Sequence, residues 1–187
     1  LGVTRKSELI VMSSGWSSGG DPNNINYYGG GRKKTLLNSR IYISSDEGKN
    51  WTTSTNFPVG PQGIHLIPFG NIEAGLDGNL RVSAYSFQLQ TDNKPRIDNC
   101  FCLKSIDDGI SWEIDSVIGN FMQNETDIAY VGQGKWLAAS RILSPCQKNT
   151  GHRIELFVSE DDTRTWRSLG PITGYNEHPG DLLVLKD

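Results

Sequence analysis

Three segments of this chain repeat one eight-residue pattern, S-x-D-x-G-x-S/T-W, which constrains the fold more than any other feature. The segments are 44–51, 105–112 and 159–166. The second fits the pattern fully, whereas Asn50 departs from it in the first and Thr163 in the third. The aspartates of successive copies lie 61 and 54 residues apart. A repeat of about fifty residues that contains strands and turns is typical of arrays of small sheets such as the β-propeller.

Each copy is interpreted as a tight turn between two strands, not as a catalytic site. Its aspartate accepts hydrogen bonds from backbone N–H groups of the turn, and its glycine supplies a positive φ. The tryptophan returns as the first large residue of the next strand and packs in the core. Thr163 stands where the other copies have glycine. A β-branched residue fits a positive φ poorly, so this turn is expected to be distorted or less tight.

The sequence between the copies predicts an all-β chain of about three four-stranded antiparallel blades plus one strand of a fourth. The blades are placed at 1–58, 59–119 and 120–172, and the next begins within 173–187. The hairpin signal Asp77-Gly78 and alternating apolar residues support this division. The predicted strands are 1–4, 8–16 and 40–44; 71–76, 80–87, 99–105 and 111–118; 126–131, 135–141, 153–159 and 165–169; and 181–186. A long loop is predicted over 17–34, because this stretch is rich in Gly and Asn.

Composition excludes several classes of function. The formal charge is −3 without a long basic run, so nucleic acid is not an expected partner. No apolar run approaches the ~18 residues of a membrane span. Cys100 and Cys102 point to the same face of a strand and are not expected to pair, although one bridge involving Cys146 stays open. The three histidines and three cysteines form no zinc pattern, so no metal or cofactor is expected.

About three repeats do not close a propeller, which typically has about four to eight blades. The chain is therefore expected to be part of a longer protein. In the alternative, two copies meet as half-rings and the last strand of each completes the first blade of the other. We favour the first reading, because the second requires a large exposed face in the monomer.

The three turns, their spacing and the strand order resemble the sialidase (neuraminidase) superfamily of six-bladed propellers with Asp-box (BNR) repeats. Two elements between the second and third turns are similar to that family's site: Asn124-Glu125-Thr126-Asp127 and Ala138-Ala139-Ser140-Arg141. The resemblance implies that Glu125 assists a tyrosine nucleophile and that Arg141 binds the substrate carboxylate. Tyr85 matches a position that lines the substrate pocket.

These residue types suit the chemistry that the resemblance implies, which is retaining hydrolysis of a terminal sialic acid or related acidic sugar. A carboxylate nucleophile would be repelled by the substrate carboxylate, so sialidases use tyrosine. Its phenol titrates near ~10 and needs a base such as Glu125. The planar guanidinium of Arg141 suits two-point binding of a carboxylate.

The family's remaining site residues would fall outside this chain, so the chain alone is expected to be inactive. Asp21 is the candidate acid/base only if the first repeat is the family's first blade; the order of later elements favours the second blade, where Asp21 is a loop residue. A non-catalytic propeller that binds glycan or protein is the alternative function. The resemblance favours an exported protein, and the residues themselves do not indicate the compartment or the oligomeric state. Arg81, Arg96 and Arg153 are expected on the surface.

Overall fold

A computed structural model describes residues 1–18, 26–29, 32–86, 99–120, 122–143 and 151–185. These residues form thirteen strands and one short 3-10 turn, Pro61–Gly63, with no α-helix among them. The strands are β1 (Gly2–Val3), β2 (Leu9–Ser18), β3 (Asn26–Gly29), β4 (Arg32–Ser44), β5 (Thr52–Ser54), β6 (Leu66–Ala74), β7 (Leu80–Ser86), β8 (Cys100–Ser105), β9 (Glu113–Gly119), β10 (Gln123–Gly132), β11 (Lys135–Leu143), β12 (His152–Ser159) and β13 (Arg167–Pro171).

The strands form three antiparallel sheets in chain order. The second sheet has the order β6-β7-β8-β9 and the third the order β10-β11-β12-β13, so each strand pairs with the next in sequence. In the first sheet β1 pairs with β2 and β2 with β4, while β5 and β3 pair with opposite ends of β4. The all-β prediction with four-stranded antiparallel sheets is confirmed.

The strand prediction differs from the structure in several details: the strand predicted at 71–76 is Leu66–Ala74, and Thr52–Ser54 was not predicted. Two further differences concern the loop 17–34 and the last segment. Part of the predicted loop 17–34 is a hairpin in which β3 pairs with the beginning of β4. Its two tyrosines, Tyr27 and Tyr28, are strong strand formers and outweigh the Gly and Asn around them. Residues 181–185 form no strand, although 181–186 was predicted as one. A strand requires a hydrogen-bonded neighbour, and no described strand pairs with this segment.

All three repeated turns have the same hydrogen bonds, as the pattern predicts. In the second, the Ser105 hydroxyl donates to Asp107 Oδ1 over 2.8 Å and accepts the Gly109 N–H over 2.8 Å. Asp107 Oδ1 also accepts the Ser111 N–H over 2.9 Å. The first and third copies repeat these contacts around Asp46 and Asp161. Within each turn the carboxylate therefore takes the place of a backbone carbonyl as the hydrogen-bond acceptor.

The third turn is not distorted, contrary to the expectation from Thr163. Thr163 adopts φ 76°, and its N–H still donates to Ser159 Oγ over 3.0 Å. Its hydroxyl, fully buried, donates to Asp115 Oδ2 over 2.7 Å and accepts from Arg81 Nε over 2.8 Å. These contacts with the second sheet offset the strain of a β-branched residue at positive φ.

Arg81 joins the second and third sheets and is not a surface residue. Its side chain is 1% exposed and forms ion pairs with Asp77 at 2.8 Å and Asp162 at 3.0 Å. Its guanidinium also lies over the Trp136 ring, 5.6 Å from the centroid. We call Arg81 with Asp77, Asp162 and Thr163 the Arg81 cluster. Arg81 holds the pKa of Asp77 well below its usual range.

Apolar side chains fill the two spaces between adjacent sheets. One cluster contains Ile10, Leu80, Phe101 and Trp112; the other contains Cys100, Cys102, Ile128 and Trp136. Both cysteines are buried and free, and they do not pair with each other, as predicted. The repeat tryptophans were all expected in the core, but Trp51 is 40% exposed while Trp112 is 6% exposed. No described sheet packs over Trp51, because its turn belongs to the first sheet.

Candidate functional site

The candidate residues lie at the end of the sheets opposite the repeated turns. We call the end with the turns 44–51, 105–112 and 159–166 the box end, and the opposite end the loop end. In each sheet the second strand starts beside the turn, as the pairs Leu80–Ser105 and Trp136–Ser159 show. Arg141 is near the end of β11 and Glu125 near the start of β10. Antiparallel pairing therefore brings both residues to the loop end.

The structure brings Glu125 and Arg141 into direct contact. Arg141 Nη1 lies 2.5 Å from Glu125 Oε2, and the two side chains are 19% and 27% exposed. The register around them is irregular: Gln123 pairs with Ile142 and Thr126 with Ser140, with a bulge between. A bulge re-aims a side chain, and here Glu125 meets the guanidinium. The roles predicted for these two residues in a reaction stay predictions.

A buried hydroxyl network supports this pair. Thr126 and Ser140, which follow Glu125 and precede Arg141, are fully buried. Thr126 Oγ1 donates to Ser140 Oγ over 2.8 Å, and the Ser83 hydroxyl of the second sheet donates to the Thr126 carbonyl. Buried, mutually satisfied hydroxyls rigidify the backbone around them. Both charged side chains therefore project from a fixed part of the third sheet.

One polar atom of the pair has no partner. Arg141 Nε is buried and makes no hydrogen bond within the part of the chain that the structure describes. A buried unsatisfied donor is costly, at about 1–3 kcal/mol, and often marks a functional position.

Tyr85 occupies the corresponding end of the second sheet. It pairs with Cys100 near the end of β7 and is half-buried. Alternation along β7 places it on the same face as Arg81 and Ser83, which contact the third sheet. Its role in substrate binding remains a prediction. Asp21 and Cys146 lie outside the described residues.

Asp127 is a buried acid that the sequence interpretation did not single out. Its side chain is fully buried. Oδ1 accepts the Asn71 N–H of β6 over 2.8 Å, and Oδ2 accepts the Leu182 N–H over 2.8 Å. Burial raises the pKa of Asp127 to about 6; the two backbone N–H groups oppose this and Asp181 adds to it. The sequence did carry one signal for this site: an acidic residue directly before the apolar residues Ile128 and Ala129.

The other features of the described residues offer no competing site. A polar cavity of about 380 Å³ opens at the box end, but the charges of Arg81 and Lys104 that line it are paired with Asp77 and Asp162. Among the described residues no group of three His, Cys, Asp or Glu side chains could hold a metal ion. A search of those residues found no helix long and apolar enough to cross a membrane.

Comparison with known proteins identifies the fold. No family model matches the sequence, and no curated protein matches it. A protein of unknown function from Dyadobacter fermentans is similar in structure, with a TM-score of 0.74, 19% identity, and coverage of 95% of this chain and 50% of that chain. A mutant of NanB sialidase from Streptococcus pneumoniae has a TM-score of 0.54 and 19% identity, over 76% of this chain and 20% of that chain. Trypanosoma rangeli sialidase in complex with sialic acid has a TM-score of 0.52 and 18% identity, over 87% of this chain and 26% of that chain.

At these identities the similarity concerns the fold alone. The described sheets are blades of a sialidase-like β-propeller, as the repeated turns predicted. The chain spans half the length of the Dyadobacter protein and about a fifth to a quarter of the sialidases that it matches.

Proposed function

We propose that this chain provides part of the active site of a sialidase-type glycoside hydrolase that acts on a terminal sialic acid or related acidic sugar. In this proposal Glu125 is the base that activates a tyrosine nucleophile from outside the chain. Arg141 binds the substrate carboxylate, and Tyr85 lines the pocket. The observation that carries the proposal is the contact between Glu125 and Arg141 at the loop end.

The geometry of the pair supports these roles. The guanidinium of Arg141 uses Nη1 for Glu125, over 2.5 Å, while Nε is left without a partner among the described residues. A substrate carboxylate would accept from this Nε and a neighbouring N–H in two-point fashion.

A non-catalytic propeller that binds an acidic glycan is the second candidate. The pair itself favours it in one respect: Glu125 and Arg141 already neutralise each other, and a partly exposed ion pair needs no catalytic role. The two candidates differ in what Glu125 does. A binding module needs the cation of Arg141 but not a base.

The test combines binding and turnover. N-acetylneuraminic acid is titrated into the ¹⁵N-labelled chain, and release of a fluorogenic sialoside is measured for this chain and for a longer chain that contains it. We expect backbone amides near Arg141 to shift on titration, and we expect turnover by the longer chain alone. In that longer chain Glu125→Gln lowers kcat by about 10²-fold or more, as is typical for loss of a general base.

Matched variants separate the outcomes. Arg141→Lys keeps the charge but loses the planar fork, so it should weaken binding, whereas Arg164→Lys at the box end should leave it unchanged. An unchanged kcat in Glu125→Gln removes Glu125 from the mechanism. Binding without turnover in the longer chain favours the binding module, and turnover by the short chain contradicts the incomplete site.

A further inference from the structure

A second acidic centre lies on β10, two residues beyond Glu125. The carboxylate of Asp127 accepts backbone N–H groups from two other parts of the chain: Asn71, in the first strand of the second sheet, and Leu182, in the segment after the third sheet. The Asn71 side-chain amide lies 3.5 Å from both Asp127 Oδ2 and Asp181 Oδ1. One buried carboxylate thus joins three segments of chain.

The backbone is shaped around this carboxylate. Gly70, which precedes Asn71, has φ 76°, and a Cβ at that position would lie 2.2 Å from Asp127 Oδ1. Only glycine permits both the backbone conformation and the close approach. Asp127 therefore occupies a specific recess in β6.

We propose that Asp127 takes up a proton and acts as a pH-sensitive clasp that fastens residues 181–185 to the first strands of the second and third sheets. With the proton present, the O–H of Asp127 donates to a carboxylate oxygen of Asp181, in addition to the bond from the Leu182 N–H. When the proton is lost, two adjacent carboxylates repel each other. The Leu182 contact then has to hold the segment alone.

The surrounding charges do not remove this repulsion. Glu73, on β6, is acidic and accepts the Tyr130 N–H over 2.7 Å. Glu125, which is on β10 like Asp127, is neutralised by Arg141.

The direction of the pH effect follows from linkage. The folded-state pKa of Asp127, about 6, is above the ordinary value of 3.8. A raised acid pKa means that the fastened state binds the proton more tightly than the released state, so fastening strengthens as the pH falls through about 6 and levels off below the ordinary value. These two pKa values predict about tenfold greater protection of the Leu182 amide at about pH 5 than at about pH 7.5, after correction for intrinsic exchange.

NMR titration of the ¹⁵N-labelled chain tests the clasp directly. The amides of Asn71 and Leu182 should shift together with one midpoint near pH 6, because both donate to Asp127. The amides of Asn50 and Ser111 make the same kind of contact with Asp46 and Asp107 and should titrate below pH 4, because the pKa values of those exposed acids are lowered.

Two variants identify the groups. Asp127→Asn should abolish the shared midpoint. Asp181→Asn, at an exposed position that should not disturb folding, should lower the midpoint because the neighbouring carboxylate is gone.

The clasp is refuted if the Asn71 and Leu182 amides titrate separately or below pH 4. It is also refuted if Asp181→Asn leaves their midpoint unchanged. Because these readouts do not involve a sugar ligand, they are independent of the proposed hydrolase function.

Discussion

Substitution of Arg81 by methionine tests whether the Arg81 cluster holds the second and third sheets together. Methionine has a similar length and keeps the apolar contact with Trp136, so the change mainly removes the guanidinium. The ion pairs with Asp77 and Asp162 are lost, together with the hydrogen bond to Thr163 Oγ1. Two carboxylates and a buried hydroxyl then lose their common donor.

The expected destabilisation is about 3 kcal/mol. Removing one partner from a buried ion pair costs about 3–5 kcal/mol, because the other charge is left uncompensated. The side chains of Asp77 and Asp162 are 34% and 16% exposed, so water compensates part of this loss. The lower end of the range is therefore appropriate. For a chain of this size the melting temperature should fall by about 6–12 °C.

Urea unfolding followed by tryptophan fluorescence measures the change. Arg164→Met is the matched control, because Arg164 is exposed and lines the same box-end cavity; it should change the free energy of unfolding by less than about 0.5 kcal/mol. Asp77→Asn combined with Arg81→Met should be clearly non-additive. A loss below about 1 kcal/mol for Arg81→Met would show that the cluster does not join the sheets.

Three further predictions concern the repeated turns and the buried thiols. Thr163→Ala should lower the free energy of unfolding by about 2 kcal/mol and Thr163→Gly by less. Both variants lose the hydroxyl contacts, but only glycine relieves the strain at φ 76°. The reverse order in urea unfolding would contradict this explanation. Trp112→Ala should cost about 3–5 kcal/mol, as expected for a core aromatic residue, and Trp51→Ala much less, so equal losses in thermal unfolding would argue against the observed difference in burial. Cys100 and Cys102 should resist alkylation by iodoacetamide at about pH 8 until the protein is unfolded. Burial raises the pKa of Cys100 to about 12 and that of Cys102 further still. Alkylation of the native protein, detected by mass spectrometry, would refute this prediction.

Local patterns predicted the parts of the fold that depend on neighbouring residues. The turn contacts of Asp46, Asp107 and Asp161 span only four residues, so their spacing in the sequence was sufficient. The family resemblance singled out Glu125 and Arg141 but did not predict their contact. The contact follows from a hairpin whose strands pair in sequence order.

Features that depend on packing between sheets were not predicted. The alternation along β7 tells which face of the second sheet Arg81 lies on. It does not reveal that the third sheet covers that face and supplies Asp162. For the same reason the sequence did not reveal why Thr163 is tolerated, or that Asp127 accepts hydrogen bonds from residues 56 and 55 positions away. Contacts of this range depend on how the sheets dock, which no local period encodes.

The distribution of polar contacts between sheets has a consequence for how this molecule loses its structure. The second and third sheets are connected at the box end by Arg81, in the middle by Ser83, and through Asn71 by Asp127. Among the residues and side chains that the structure describes, fewer such contacts reach the first sheet; one of them is the bond from the Ser39 hydroxyl to the Leu66 carbonyl. In an array whose units interact only with their neighbours, the weakest interface opens first. Partial unfolding should therefore begin by detachment of the N-terminal third, and the remaining two sheets should melt as one cooperative block.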